Sequence, residues 1–174
     1  MKILFSSFLL AFLFFINPVV AEQKIAIINM DKVISTSNSG ISILKQLNDL
    51  KNKNSEFLKN EGKKFQEKET KLISQKNIIS EADFQNKVDE LKSEIRNYNQ
   101  NRNKIITDFN KLKLDSTNNF LKLINPILLK FSDDKEISII LQKKDLVVAK
   151  TQLDITDEVI KIVNSEVKEF KINE

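Results

Sequence analysis

The sequence has no histidine and no cysteine, and only two glycines and two prolines among 174 residues. The lack of cysteine excludes disulfides from the fold, and it excludes lipid attachment at a cysteine of a processed N-terminus. A metal site would need oxygen ligands alone, and no loop clusters Asp and Asn to supply them. With so few glycines and prolines there is little room for loops, so we expect long regular elements.

These absences also limit the function. No G-x-x-x-x-G-K-[ST] phosphate loop and no G-x-G-x-x-G turn occurs in the chain. The carboxylates lie among lysines on helical surfaces, where solvation or i,i+4 pairing is the ordinary explanation. The basic excess is small and the aromatic residues lie on apolar rows, which argues against nucleic-acid binding. We therefore expect a protein that is not an enzyme, with no catalytic residue, cofactor or metal.

The first 21 residues have the pattern of a signal peptide. Met1 and Lys2 give a positive start, and residues 3–16 form an apolar run that contains Ser6 and Ser7. Pro18 then breaks the chain before a small-residue cleavage pattern that ends at Ala21. The apolar run is short for a membrane span, so cleavage after Ala21 is favoured over anchoring. We expect the mature chain to work outside the cytoplasm.

A long amphipathic helix over residues 81–124 organises the rest of the chain. Apolar side chains recur in it at alternating spacings of four and three, interrupted by Arg102 and Ser116, which is typical of a coiled-coil seam. Ser80 and Asp83 resemble a capping box at its start. The predicted arm seam consists of Phe84, Val88, Leu91, Ile95, Tyr98, Ile105, Phe109 and Leu112.

The partner helix is predicted over residues 42–76. Its apolar row is sparser, with Leu44, Leu58, Phe65 and Leu72 in steps of seven, and Gly62 lies in its middle as a place to bend. The two helices form an antiparallel hairpin, the arm, over residues 42–130. The arm carries 18 basic and 12 acidic residues, a net charge of +6 that can steer an acidic partner.

The remaining residues, 22–41 and 131–174, are predicted to form a small β-rich body. Three strands are expected over 24–29, 136–141 and 146–150, the last two as a hairpin joined by 142–145. Asp31 is expected to cap a short helical turn, Pro126 to kink or stop the second long helix, and Thr156 to cap a final helix over 157–170. Candidate core or subunit-contact residues are Ile25, Ile27, Ile137, Ile139, Leu141, Leu146 and Val148.

A body of 64 residues with open strand edges buries little core. Its stability as a single chain is expected to be marginal, and both the arm seam and the strand edges are candidate surfaces for self-association. The fold class predicted from the residues is α+β, with a small strand body and a long helical arm.

Two terminal segments carry a resemblance to a known family. The run 24–33, KIAIINMDKV, resembles the mature N-terminus of the Skp/OmpH family of periplasmic chaperones. The segments 146–149 (LVVA) and 153–160 (LDITDEVI) are similar to that family's C-terminal strand and the entry to its last helix. The likeness covers the whole mature chain, although the arms match in pattern only.

The resemblance implies a periplasmic homotrimer in which strands of three bodies complete a barrel and three arms enclose a cavity. It further implies an ATP-independent holdase that binds unfolded outer-membrane proteins, and it assigns helix capping to Asp154, Ile155 and Thr156. Transient contact with a membrane surface is also compatible with it. No residue can be assigned to client binding, and a structural coiled-coil protein of the cell envelope without clients remains the alternative.

Overall fold

The computed structural model describes residues 23–168 and 171–172. The chain begins with strand β1 (Lys24–Ile28) and the short helix α1 (Met30–Thr36), and two long helices follow, α2 (Asn38–Gln75) and α3 (Glu81–Lys135). Strand β2 (Ile137–Gln142), two 3-10 turns (Lys143–Asp145 and Thr151–Leu153) and helix α4 (Thr156–Glu166) complete it. The predicted α+β class is confirmed. The predicted signal peptide lies outside the described residues.

The arm is an antiparallel hairpin of α2 and α3. At 1.5 Å per residue, the 55 residues of α3 span roughly 80 Å. The Ser80 hydroxyl accepts a hydrogen bond from the Asp83 N–H at 3.1 Å and donates to the Asp83 carboxylate at 2.6 Å. The predicted cap at the start of α3 is therefore confirmed.

Helix α3 continues through Pro126 to Lys135, so the predicted end at residue 124 is wrong and, of the two predictions for Pro126, the stop is excluded. Pro126 is exposed, and so is Lys122, the residue whose carbonyl loses its helical N–H partner. On the opposite side Ile124, Ile127 and Phe131 are buried in the body. Burial of three large side chains, each contributing about 1.5–3 kcal/mol, outweighs the single lost hydrogen bond.

The core of the body lies where all four helices meet one face of the sheet. Its buried apolar residues are Ala26, Ile28, Met30, Val33, Ile43, Leu47, Phe120, Ile124, Ile127, Phe131, Ile155, Val159 and Val163. The core therefore includes the first turns of α2 and the last five turns of α3, beyond the body boundaries expected from the sequence. The long helices serve both as arm and as body.

The sheet has two strands in the described part of the chain, where three were predicted. Strand β1 pairs in parallel with β2, with Ile25 opposite Ile139 and Ile27 opposite Leu141. The predicted hairpin between residues 136–141 and 146–150 is wrong, because β2 takes its partner from the N-terminus instead. A parallel pair needs a long crossover, and α1 to α3 provide it.

Two predicted helix ends also need correction. The N-cap of α1 is Asn29, whose side-chain oxygen accepts from the Lys32 N–H at 3.0 Å, and not Asp31. Helix α4 ends at Glu166 rather than at Phe170, which lies outside the described residues. After the helix Val167 is extended, and Val167 and Ile172 pack against the core. This packing replaces the helical turn that the sequence predicted.

Candidate functional site

The face of the sheet that is turned away from the core is apolar and open. Ile25, Ile139 and Leu141 are 42%, 45% and 38% exposed, and the pairing of the strands places them side by side. Ile27 belongs to the same face but is buried, and its carbonyl accepts a hydrogen bond from the Ile155 N–H at 3.0 Å. Exposed branched side chains grouped on one sheet face are typical of a surface that contacts another molecule.

Of the other body candidates, Ile137 packs on the core while Leu146 and Val148 do not. Ile137 is half-buried against the core cluster. Leu146 is half-buried, but Val147 and Val148 are almost fully exposed, at 101% and 88%. The segment 146–150 forms no strand in this single chain, since no neighbouring strand takes its hydrogen bonds.

This exposed segment is anchored at its base by Asp154. The Asp154 carboxylate accepts hydrogen bonds from Lys143 Nζ at 2.7 Å and from the N–H and hydroxyl of Thr156 at 3.0 and 2.5 Å. Burial raises the pKa of this carboxyl, but the hydrogen bonds from Lys143 and Thr156 outweigh burial and lower the pKa from 3.8 to about 2. Asp154 therefore remains ionised and ties both ends of residues 143–154 together.

Thr156 joins this anchor to the N-terminal strand. Its hydroxyl accepts from the Asn29 N–H at 2.9 Å. Thr156 is thus not the N-cap that was predicted; that position belongs to Ile155, and Asp154 caps the first turn through the Thr156 N–H. The Asp-Ile-Thr run fastens helix α4 to the end of β1.

The predicted arm-seam residues lie along one face of α3. All eight, from Phe84 to Leu112, are half-buried, whereas Arg102 is exposed and Ser116 is buried where the arm enters the body. At the end of α2 nearest the body, the buried apolar row lies one residue away from its predicted position. Ile43 and Leu47 are buried there, and Leu44 is 43% exposed.

A tyrosine ties the two arm helices together at mid-length. Tyr98 Oη donates a hydrogen bond to the Leu58 carbonyl at 2.9 Å, and its ring lies 5.1 Å from that of Phe65. A side chain at Gly62 would meet Tyr98 Oη at 3.5 Å, an ordinary contact distance. The seam pattern predicted an apolar role for Tyr98. A tyrosine in an apolar row that faces a glycine of the partner helix is the sequence signal for this hydrogen bond between the two helices.

Nearer the body the seam opens into a groove of about 430 Å³. Its apolar wall comes from Leu50, Ile105, Phe109 and Leu112, and Asn54 occupies a position where a coiled coil would place an apolar side chain. The accessible apolar groove therefore forms where a polar side chain interrupts the apolar row of α2.

Within residues 23–168 and 171–172, no three His, Cys, Asp or Glu side chains are grouped so as to hold a metal ion. None of the helices in this part of the chain is long and apolar enough to cross a bilayer.

Two comparisons with known proteins give a match. The family model described as outer membrane protein (OmpH-like) matches residues 24–163. A crystal structure from Caulobacter crescentus CB15, of a protein proposed to be an outer membrane chaperone (OmpH-like), superposes with a TM-score of 0.79. It is 14% identical, and the match covers 88% of this chain and 90% of that one, so it shows a shared fold. A comparison with the curated proteins gives no match.

Proposed function

Since the chain belongs to the OmpH-like family of outer membrane proteins, we propose that it is a periplasmic holdase that keeps unfolded outer-membrane proteins from aggregating. The observation that carries this proposal is the long two-helix arm, which projects from a small body and buries its seam only partly. Such an arm offers a large surface to a client and can bind it without a catalytic reaction.

The open face of the sheet supports a homotrimer as the working form. Ile25, Ile139 and Leu141 are exposed on one face of a two-stranded sheet, and Val147 and Val148 are exposed as well. Three copies would cover these side chains and supply the strand partners that residues 146–150 lack. The three arms would then enclose a cavity around the client.

Release without ATP follows from weak and distributed contacts. A client held at many points, each of low affinity, stays bound through avidity but can leave stepwise when folding into a membrane competes. The client's strands, with alternate side chains apolar, would otherwise pair with one another. The cavity keeps such strands apart.

The test is light scattering from an outer-membrane β-barrel protein diluted from urea, with and without the chain from Glu22 onward. We expect scattering to be suppressed at three chains per client, with no nucleotide present. The net charge of +6 on residues 42–130 should make capture faster at low salt than at high salt. Unchanged aggregation at both salt concentrations would favour the structural coiled-coil alternative.

A further inference from the structure

The positive charge of the arm is concentrated in its middle. Residues 50–64 of α2 and 95–114 of α3, named here the mid-arm belt, carry ten basic and three acidic residues, a net charge of +7. The tip of the arm, residues 65–94, carries five basic and seven acidic residues, a net charge of −2. The charge thus changes sign along the arm.

The cations of the belt are exposed and mostly lack partners. All ten are exposed, and within the described chain only Lys64 and Lys104 have a carboxylate within 4 Å, at 2.7 Å from Glu61 and 2.6 Å from Asp108. Two lysines of the tip, by contrast, pair with carboxylates of the tip itself. The belt therefore keeps a positive potential that extends about one Debye length into solvent, and the tip does not.

Apolar contact sites lie within this positive surface. Phe57 is 46% exposed, one helical turn from Lys53 and two turns from Lys64 on the same face of α2. The seam groove lined by Leu50, Ile105 and Phe109 opens in the same stretch of the arm. Its lining also includes the charged residues Lys111, Asp108 and Asp115. An exposed aromatic side chain between lysines, close to an apolar groove, suits a chain that is both acidic and apolar.

We infer that the mid-arm belt is the surface that captures the client. Its lysines and arginines attract acidic stretches of an unfolded outer-membrane protein, and Phe57 and the groove hold the apolar side chains of the same stretches. The tip repels those acidic stretches and takes no part in capture. This inference rests on the proposed holdase function and locates its contact surface.

Two triple variants of equal charge test the electrostatic part. Lys53→Glu/Lys59→Glu/Arg102→Glu changes the belt, and Lys71→Glu/Lys76→Glu/Lys87→Glu changes the tip by the same amount. Stopped-flow fluorescence measures association with an acidic outer-membrane β-barrel protein diluted from urea. We expect the belt variant to associate about tenfold more slowly at low salt and to lose most salt dependence, and the tip variant to stay within about twofold of wild type.

A second pair of variants tests the apolar contacts of the belt with the client. Phe57→Ala should raise the dissociation rate of the same client at least about threefold, because it removes an exposed aromatic contact. Ile73→Ala, at a tip residue that is 64% exposed, should leave this rate unchanged. Both positions are solvent-exposed, so circular dichroism should show that both variants keep wild-type helicity.

The outcomes separate the inference from the function on which it rests. If wild type fails to suppress aggregation, the holdase function fails and the inference falls with it. If wild type suppresses aggregation but belt and tip variants behave alike, the inference alone is overturned. It is likewise overturned if the belt variant binds the client normally and instead loses binding to vesicles of anionic phospholipid, since the belt would then contact a membrane.

Discussion

Gly40 lies in the first turn of α2, directly after the junction with α1, where the backbone leaves no room for a side chain. An added Cβ would lie 2.0 Å from the Ile34 carbonyl oxygen and 2.8 Å from Ser37 Oγ. Ser37 caps α2 by accepting from the Gly40 N–H at 3.2 Å, so the junction cannot move without losing its cap.

We predict that Gly40→Ala destabilises the fold by at least about 3 kcal/mol, because the new methyl group meets backbone. The control is Gly62→Ala, where the methyl group has an ordinary contact with Tyr98 and helix propensity should gain up to about 1 kcal/mol. Urea unfolding followed by circular dichroism measures both. Equal effects of the two substitutions would contradict the packing described at the junction.

Asp154 should make stability depend on acid pH. A carboxyl whose pKa falls from 3.8 to about 2 on folding adds stability above pH 4, and this stability is lost as the pH falls through about 2. We expect wild type to lose about 1–2 kcal/mol more than Asp154→Asn between pH 5 and pH 2, a value reduced for solvent screening. The measurement is urea unfolding at both pH values; parallel losses in the two proteins would show that the anchor contributes nothing.

At the scale of the elements, local signals in the sequence were sufficient where one interaction decides the structure. The Ser80 cap, the seam spacing of α3 and the strands β1 and β2 were read from short patterns. The errors arose where distant residues decide. Pro126 stays inside a helix because Phe131 and Ile127 are buried beyond it, and β2 pairs with a strand more than 100 residues away.

The functional surfaces, too, were predictable from local sequence only in part. The apolar character of Ile25 and Ile139 was evident from sequence, but which face of the sheet they occupy depends on a parallel register that no local turn encodes. The groove beside Asn54 depends on how two helices, far apart in sequence, match along their seam. Such features follow from tertiary packing alone.

The arm should be less protected than the body. Its seam residues are only half-buried, and Asn54, Glu61 and Gln75 occupy seam positions of α2. Few buried apolar contacts imply local opening at low free energy. We predict that amides in residues 50–80 exchange hydrogen much faster than those of β1, β2 and α4, and faster than those of residues 81–112. Uniform protection along arm and body would refute this prediction.

At the scale of the whole molecule, the sheet face should hold subunits together. Ile139→Asp places a charge among the exposed apolar side chains of β2, so it should dissociate the trimer or prevent folding of the assembly. Lys68→Ala is the control, since it removes an ion pair with Glu94 and a cation–π contact with Phe65, both in the arm and away from the sheet. Sedimentation equilibrium on the chain lacking residues 1–21 should give a trimer for wild type and for the control. A wild-type monomer at micromolar concentration would contradict the assembly.

The central claim is that three copies hold one unfolded client between their arms. Native mass spectrometry tests it most directly, on the chain lacking residues 1–21 mixed with one outer-membrane β-barrel protein diluted from urea, without nucleotide. The account predicts a dominant complex whose mass equals three copies and one client. Free client aggregates beside an unliganded protein of any oligomeric state would contradict it.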